Sequence, residues 1–374
     1  MSSYEVVQRG AAAGIVITAS HNPWTDNGFK VKSPTGAAAG PEMLAVIEAA
    51  IAENGGRAIE RRPFAEAEKA GLVELYDPYP GYERYVGRTV DLEALRAADV
   101  RVLVDPLWGA GAGWISRLLA GGRIRIEEIH LERNPFFGGV NPEPIPPNVN
   151  EALGVLAGGG YDLGLLLDGD ADRCVAVDRS GAVVDGDRVL GLLALDRLER
   201  GALPKKTLVV TILSNGGLAA AIERAGGSVV RAPVGDRYIF EGMQVSGATL
   251  GGEKSGHVIV LDHASTGDGI LTALELLSVV ARRDRELAEL AAEIPLFPQE
   301  QRAVRVHHKE QWEGDPVIRS AIAEEEARLG AGGRILVRPS GTEPALRVMV
   351  EGADHGVVAA AADRIATLAG ERLH

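Results

Sequence analysis

The stretch 161-YDLGLLLDGDADR-173 decides how the middle of this chain folds. Its run 163-LGLLL-167 has no polar face, and a short apolar run closed by a turn predicts a fully buried strand. Strands that are buried on both sides are typical of sheets that helices cover on each face. The acidic turn 168-DGDADR-173 therefore follows a strand end, where α/β sheets place their ligands.

Short apolar runs alternate with helical patterns on both sides of this stretch. Before it come the apolar runs 100-VRVLVDP-106 and 124-IRIEEIHL-131, with a helical pattern after Asn150. After it the alternation restarts at Asp187 with a helix, the strand-like 205-KKTLVVTIL-213, a further helix, 228-SVVRAPVG-235 and a long helix near 268–282. This rhythm predicts two stacked α/β domains.

The order of predicted strands and helices changes after 296-LFPQEQ-301. Strand-like runs 302-RAVRVHH-308, 334-RILVRPS-340 and 345-ALRVMVEG-352 are flanked by helical patterns, which predicts a smaller α+β domain. Turn-rich segments at 77-DPYPGYERY-85, 181-GAVVDGD-187 and 294-IPLFPQ-299 are the linker candidates. They divide the chain into four predicted domains at 1–78, 79–184, 185–295 and 296–374.

Composition excludes several classes of protein. Apolar residues make up 46% and charged residues 24%, as in an ordinary folded domain, and no apolar stretch is long enough to span a membrane. The formal charge of −13 argues against nucleic acid, which requires clustered cations. With no basic-then-apolar leader visible, we expect a cytoplasmic protein that acts on small molecules. The single cysteine, Cys174, is expected to be a buried spectator.

The acidic turn is the first of four candidate functional loops. Asp168, Asp170 and Asp172 would repel one another unless a cation lay between them or they pointed apart into water. Ligation by oxygen atoms alone suits Mg²⁺ or Mn²⁺, and Arg173 offers a fixed charge for a phosphate. The alternative is a solvated acidic turn, which the buried strand before it disfavours.

The second loop lies in 14-GIVITASHNPWTDNGFK-30. Ser20, His21, Asn22 and Pro23 form a polar turn after an apolar strand, and Pro23 restricts the backbone so that the serine hydroxyl is held rigidly. An ordinary polar turn would have the same composition.

Two further loops have the composition of ligand sites. In 251-GGEKSGH-257, glycines bracket groups that suit sugar hydroxyls. In 338-RPSGTEPALR-347, two arginines, two hydroxyls and a flexible glycine suit a phosphate group. Either loop by itself is also compatible with a plain surface turn.

Taken together and in chain order, from the serine loop to the acidic turn, the glycine-rich loop and the C-terminal loop, the four loops resemble the α-D-phosphohexomutase superfamily, which includes phosphoglucomutases, phosphomannomutases and phosphoglucosamine mutases. The resemblance spans nearly the whole chain. It implies an α/β fold of three successive mixed-sheet domains, the first incomplete, and a C-terminal α+β domain around a central cleft. It also implies interconversion of hexose 1-phosphate and hexose 6-phosphate through a phosphoserine and a bisphosphorylated sugar.

The resemblance assigns a role to each motif. The phosphorylated residue would be Ser20, supported by His21, and its phosphate would complete the sphere of one Mg²⁺ with Asp168, Asp170 and Asp172. Arg173 would contact the transferring phosphate. Glu253 and Ser255 would bind sugar hydroxyls, and Lys30 and His257 would be the general acid/base candidates. The non-reacting phosphate would be bound by Arg338, Ser340, Gly341 and Thr342. A hexose bisphosphate would act as activator, and the chain would be a monomer or homodimer.

The resemblance leaves two points open. Most motifs look like those of phosphoglucosamine mutases, but 139-GVNPEPIPPNVNEAL-153 is more like the phosphoglucomutase/phosphomannomutase branch, and Lys254 stands where glucosamine enzymes often carry glutamine. The sugar therefore stays open among glucose, mannose and glucosamine. The family also places a longer α/β segment before the serine loop, so we expect an incomplete first domain with an exposed apolar face. Activity of so short a first domain is the second open point.

Two rival functions are carried forward. The pattern LLLDGDAD also resembles phosphatases that use an aspartate nucleophile, in which case Asp168 would be phosphorylated. The shortened first domain suggests instead a sugar-phosphate binder without turnover, since fold and loops alone do not guarantee catalysis.

Overall fold

The computed structural model describes residues 1–262, 264–330, 332–340 and 343–373. Within these ranges no helix is long and apolar enough to cross a membrane. Three short 3₁₀ helices lie at Phe137–Gly139, Pro204–Lys206 and Lys309–Gly314. The strands within these ranges form four sheets, which have two, five, four and three strands in chain order.

The N-terminal segment consists of a two-stranded ribbon and three helices: α1 (Ser2–Gln8), β1 (Gly14–Ile17), β2 (Phe29–Lys32), α2 (Pro41–Asn54) and α3 (Phe64–Lys69). Strands β1 and β2 pair antiparallel, with Val16 opposite Lys30. No residue of α2 is buried. Ile15 and Ile17 are 69% and 70% exposed, so the apolar face expected from the sequence is present.

The second unit is an α/β domain whose sheet has the order β4-β3-β5-β6-β7. Its elements are α4 (Tyr79–Val86), α5 (Leu92–Ala97), β3 (Arg101–Asp105), α6 (Trp114–Leu118), β4 (Arg125–Glu128), α7 (Asn150–Ala157), β5 (Leu163–Leu167), β6 (Cys174–Asp178) and β7 (Val183–Val184). Strand β5 is buried along its whole length, as predicted. It pairs parallel with β3 but antiparallel with β6, so the sheet is mixed.

One linker prediction is wrong. The segment 77-DPYPGYERY-85 forms most of helix α4, with Tyr82 and Tyr85 only 0% and 2% exposed. Proline is tolerated in the first helical turn, and burial of large aromatic rings outweighs the turn propensity of the segment. The Tyr82 hydroxyl donates to Asp268 Oδ1 over 2.8 Å, which ties this helix to the third unit.

The third unit is a second α/β domain with the strand order β11-β10-β8-β9. It contains α8 (Gly186–Glu199), β8 (Thr207–Thr211), α9 (Gly216–Arg224), β9 (Ser228–Ala232), α10 (Asp236–Ser246), β10 (Leu250–Gly252), β11 (Val258–Val260), α11 (Gly269–Arg283) and α12 (Leu287–Ala291). Helix α11 packs against both α8 and β6, so the second and third units share one apolar core. Asp268 and Asp185 cap the N-termini of α11 and α8 with their carboxylates.

The C-terminal unit is the predicted α+β domain. It contains β12 (Gln299–Arg305), α13 (Pro316–Leu329), β13 (Arg334–Pro339), β14 (Ala345–Glu351) and α14 (His355–Arg372). Its antiparallel sheet has the order β12-β14-β13, and its own apolar core includes Ile318, Leu346 and Ile365. The segment 294–298 connects α12 to β12 without a helix or strand of its own.

Candidate active site

Ser20 lies in the loop between β1 and β2, with a left-handed backbone (φ 58°) that is uncommon outside glycine. Its N–H donates to Thr18 Oγ1 over 2.8 Å, which fixes the turn. Its hydroxyl lies 3.5 Å from Asp170 Oδ1 and 3.3 Å from His21 Nδ1. Burial, and then the charge of Arg173, lower the pKa of His21, so the ring is neutral near pH 7. The loop thus aims the serine oxygen at the acidic turn.

The three aspartates of the acidic turn converge on one point. Each of Asp168, Asp170 and Asp172 offers a carboxylate oxygen within 4.8 Å of the others. Asp168 is fully buried, and its Oδ2 has no hydrogen-bond partner among the described residues. Burial, with the charges of Asp172 and Asp170, raises the pKa of Asp168 well above its usual range. Buried, orphaned carboxylate oxygens at this spacing fit a hard divalent cation such as Mg²⁺.

Lys30 bridges two of these carboxylates. From β2 its ammonium lies 2.8 Å from Asp170 Oδ2 and 3.2 Å from Asp172 Oδ2. Burial opposes its charge, but Asp172 and Asp170 outweigh burial and raise the pKa of Lys30. The side chain is therefore a stable cation beside Ser20.

Arg173 fixes the far side of the acidic turn. Its backbone N–H donates to Asp168 Oδ1 over 3.1 Å, while its side-chain Nε lies 3.8 Å from Asp168 Oδ2 and 3.8 Å from Asp172 Oδ1. Among the described residues Nε makes no hydrogen bond, so the guanidinium retains donor capacity for an anion.

His257 is buried with both ring nitrogens occupied. Nε2 accepts a hydrogen bond from the Gly267 N–H over 3.0 Å, and Nδ1 lies 3.3 Å from Asp172 Oδ1. Because Nε2 is an acceptor here, the ring proton resides on Nδ1 and faces Asp172. This geometry orients Asp172, and neither nitrogen is turned toward open space.

The glycine-rich loop packs directly on the second domain. The Cys174 N–H donates to Gly256 O over 3.0 Å, and a Cβ at Gly256 would lie 2.4 Å from Cys174 O, so only glycine fits. Cys174 itself is buried, as expected. The Glu253 carboxylate accepts hydrogen bonds from the Gly235 N–H (3.0 Å) and from Ser255 Oγ (3.4 Å). The side chains of Glu253 and Ser255 stay partly exposed. The sugar-binding candidates therefore lie on a loop anchored beside β6.

The C-terminal loop concentrates positive charge. Arg338 on β13 lies directly opposite Arg347 on β14, and burial followed by Arg347 lowers the pKa of Arg338. Ser340 is buried, with its hydroxyl unpartnered among the described residues, and Lys309 Nζ donates to its carbonyl. Like charges paired across strands destabilise a sheet, and the exposed Glu343 carboxylate, 3.2 Å from Arg347, offsets only part of that cost. Gly341 and Thr342, also predicted for this site, lie outside the described residues.

A cavity of ≈ 690 Å³ opens beside Ser20 and Asp170. Its size falls in the range of small-molecule sites, and its wall includes Trp24 and Trp114. A second cavity, ≈ 800 Å³, lies between α5, α8 and α11, and none of the predicted site residues that the structure describes lines it. The structure thus gathers the serine, metal and histidine residues around one point. The hydrogen bonds recorded for Ser340 stay within the C-terminal domain.

Sequence reasoning missed three residues that shape the site. Thr18 donates its hydroxyl to Asp170 Oδ2 over 3.1 Å, Gly267 holds His257, and Lys309 holds the Ser340 carbonyl. Thr18 stands two residues before Ser20, a spacing typical of side-chain-to-backbone turns, and this signal was available. Gly267 and Lys309 lie far from the motifs they support, so the sequence contained no local signal for them.

Comparison with known proteins finds four family models that match the chain in succession. Models of the phosphoglucomutase/phosphomannomutase α/β/α domains I, II and III match residues 1–57, 80–181 and 185–297, and the model of the C-terminal domain matches 303–368. The chain is 38% identical to the phosphoglucosamine mutase of Frankia alni over 366 residues, which is 98% of this chain and 78% of that protein.

Two solved structures share the architecture. A putative phosphomannomutase from Thermus thermophilus superposes with a TM-score of 0.77 at 29% identity, covering 98% of this chain and 80% of that one. The N-acetylphosphoglucosamine mutase of Aspergillus fumigatus, solved with GlcNAc-6P and magnesium, has a TM-score of 0.74 at 19% identity, covering 100% and 91%. With its four successive domain matches, this chain belongs to the phosphoglucomutase/phosphomannomutase family of phosphohexomutases.

Proposed function

We propose that the chain is a phosphoglucosamine mutase that moves a phosphoryl group between the 1- and 6-positions of a hexosamine through phosphorylated Ser20. The observation that carries the proposal is the approach of Ser20 Oγ to Asp170 Oδ1, 3.5 Å away, within a cluster of three carboxylates and the Lys30 ammonium. Phosphoryl transfer depends mainly on positioning and neutralisation of charge, and this cluster suits both.

The metal site would be formed by the three aspartates together with an oxygen of the phosphorylated serine. When bound, Mg²⁺ would neutralise charge on the phosphoryl oxygens. Lys30 would supply a second positive charge beside Ser20, and Arg173 a third through its unpartnered Nε. Thr18 and His257 would hold Asp170 and Asp172 in place.

The transfer itself exchanges one P–O bond for another. In the first half, the bond from phosphorus to Ser20 Oγ would break and a bond to a sugar hydroxyl oxygen would form, giving a bisphosphorylated sugar, while the proton that the sugar hydroxyl loses would replace the phosphoryl group on Ser20 Oγ. In the second half, Ser20 Oγ would attack the other phosphate of that sugar, the bond from that phosphorus to its sugar oxygen would break, and the freed sugar oxygen would take up the serine proton by way of His21. The serine proton would pass to His21 Nδ1, which lies 3.3 Å from Oγ on a ring kept neutral by burial. A hexose bisphosphate would load Ser20 initially and so act as the activator.

The remaining loops would hold the sugar while either end reacts. Glu253 and Ser255 present an acceptor and a hydroxyl to sugar oxygens. The non-reacting phosphate would lie between Arg338 and Arg347 with the Ser340 hydroxyl, because an anion there relieves their mutual repulsion and satisfies a buried hydroxyl. Gly341 and Thr342 belong to the same proposed loop. A cradle separate from Ser20 would allow the sugar to bind in two orientations.

Glucosamine is the proposed sugar because the curated relative from Frankia alni is named a phosphoglucosamine mutase. The Aspergillus fumigatus structure was solved with GlcNAc-6P, a hexosamine phosphate, and with magnesium, the proposed metal. The aspartate-nucleophile phosphatase is not favoured. Asp168 is fully buried, and burial with its acidic neighbours raises its pKa, both of which oppose nucleophilic attack.

The test is a coupled assay of the purified full chain with Mg²⁺ and a trace of hexose bisphosphate. Glucosamine, glucose and mannose phosphates are compared, for Ser20→Ala and for a control serine from the same segment, Ser33→Ala. We expect turnover fastest with glucosamine phosphate, lost in Ser20→Ala and kept in the control. Acid-stable phosphate on Ser20 supports the mutase, whereas a labile acyl phosphate on Asp168 overturns it. Binding of sugar phosphate without turnover would indicate the non-catalytic binder.

A further inference from the structure

A chain of partly and fully buried polar groups crosses the junction between the third and C-terminal domains. Lys254 Nζ, in the glycine-rich loop, donates to Gln299 Oε1 over 3.1 Å. The same amide donates through Nε2 to the Leu213 carbonyl (3.1 Å) and to Glu351 Oε2 (3.0 Å). One side chain at the start of β12 therefore joins the sugar loop, the end of β8 and the end of β14.

Glu351 is the centre of the junction. It is fully buried on β14, and its Oε1 accepts from the Gly216 N–H at the start of α9 (2.9 Å) and from Arg334 Nε (3.0 Å). Arg334 also donates to the carbonyls of Ile212 (2.7 Å) and Ser214 (2.6 Å). A buried carboxylate whose two oxygens are both satisfied favours one geometry, because any shift leaves an uncompensated charge.

The connection between the two domains is held as well. Asn215 Nδ2 donates to the Phe297 carbonyl, and Asn215 Oδ1 accepts from the Phe297 N–H, each over 2.9 Å. Segment 212–216 thus contacts both the interdomain connection and the sheet of the C-terminal domain.

The register of β13 and β14 links this junction to the phosphate-binding candidates. Arg334 pairs with Glu351 at one end of the two strands, and Arg338 pairs with Arg347 four residues further along. Four residues of strand span about 13 Å. Two hydrogen-bonded strands are stiff over that length, so the orientation fixed at Glu351 also fixes Arg338 and Arg347.

We propose that Gln299, Glu351 and Lys254 are positioning residues that hold the arginine pair at a set place relative to Glu253 and Ser255. The distance between sugar loop and phosphate loop would then depend in part on the Gln299 amide, which bonds both sides of the junction alongside the contacts of Glu351 and Arg334. The kinetic consequence rests on the proposed mutase function, whereas the structural coupling does not.

The test compares Gln299→Leu with Gln301→Leu in the full chain. Gln301 is the same residue type two positions along β12, and no hydrogen bond of its side chain is recorded among the described residues. Amide hydrogen exchange without substrate should be roughly tenfold faster at 212–217 in Gln299→Leu and unchanged in Gln301→Leu. Equal exchange in the two variants would overturn the coupling, whether or not the protein turns over sugar phosphate.

Kinetics separate positioning from simple stability. Gln299→Leu should raise KM for hexosamine phosphate by about fivefold or more, with kcat within about twofold of wild type. Lys254→Met, which alters only a loop side chain, should raise KM similarly, and Lys254→Arg, which keeps a donor, should recover much of the loss. The two changes combined should cost no more than one, since both break the same contact. Independent, additive effects would contradict the proposal, as would a fall in kcat alone.

Discussion

Arg338 lies directly opposite Arg347 across β13 and β14, and Arg347 also pairs with the Glu343 carboxylate over 3.2 Å. Cross-strand pairs of like charge destabilise a sheet by a few tenths of a kcal/mol to about 1 kcal/mol. We predict that Arg338→Gln raises the free energy of unfolding slightly in the absence of ligand. The same change should weaken binding of glucosamine 6-phosphate by roughly 2 kcal/mol, because a charge-assisted hydrogen bond is lost.

Thermal unfolding with and without the sugar phosphate measures both effects. Arg319→Gln, an exposed arginine on α13, is the control and should change neither. Undiminished stabilisation of Arg338→Gln by the ligand would place the phosphate elsewhere.

If Asp168 binds the metal, Asp168→Asn should change the stability of the chain in opposite directions without and with Mg²⁺. In metal-free buffer the variant should be more stable, on the order of 1 kcal/mol, because a buried carboxylate oxygen without a partner becomes part of a neutral group. Stabilisation by Mg²⁺ should disappear. Chemical denaturation with and without Mg²⁺ tests this, with the exposed Asp99→Asn as control. A variant that still gains stability from Mg²⁺ would exclude Asp168 as a ligand.

Lys30 places its charge on the carboxylates that a cation would bind. We predict that Lys30→Met increases Mg²⁺ affinity in calorimetric titration, since Asp170 and Asp172 lose a competing positive charge. Turnover should nevertheless fall by roughly 10²–10³, the usual effect of removing one group that stabilises transition-state charge. Lys69→Met, on the exposed face of α3, should change neither quantity. Weaker Mg²⁺ binding in Lys30→Met would show that the ammonium does not compete with the ion.

Asp187 predicts part of the pH dependence of stability. Burial raises the pKa of Asp187 to about 6, partly offset by the Asn215 N–H. The folded state therefore holds this proton up to a higher pH than the unfolded chain, so the contribution to stability is full below about pH 4 and is lost as pH rises to 6. In the wild type this carboxyl should lower the free energy of unfolding by about 3 kcal/mol between pH 4 and pH 7, and Asp187→Asn should abolish that decrease. Denaturation at both pH values, with Asp99→Asn as control, measures it; an unchanged difference in Asp187→Asn argues against the shifted carboxyl.

The contact between Gly267 and His257 allows a test of how Asp172 is held, with a second glycine as the control. A Cβ at Gly267 would lie 2.6 Å from the His257 ring, so Gly267→Ala must displace the ring and release Asp172. Turnover should fall by about tenfold or more as Asp172 loses its orientation. Gly154, in the middle of α7, has open space around its Cβ, and Gly154→Ala should stabilise the chain by about 0.5–1 kcal/mol without altering turnover. Equal activity in the two variants would show that His257 does not position Asp172.

The sequence determined the local elements and the chemistry of the loops. A run such as 163-LGLLL-167 favours a buried strand, because exposing its apolar side chains to water is unfavourable and the run is short for a helix. The strands at 101–105 and 207–211 and the helices at 216–224 and 269–283 followed from the same patterns. Carboxylates, hydroxyls and arginines carry their ligand preferences in any fold, so the four loops were recognisable from composition and order.

Tertiary structure alone decided which of these groups meet. Helix α4 was mistaken for a linker because burial of Tyr82 and Tyr85 depends on partners that are distant in the chain. The bond from Lys254 to Gln299 and the pairing of Arg338 with Arg347 likewise arise from domain packing and strand register. The sequence determines which hydrogen bonds and ion pairs each side chain can form. The distances between segments that are far apart in the chain are set by the packing of the whole core.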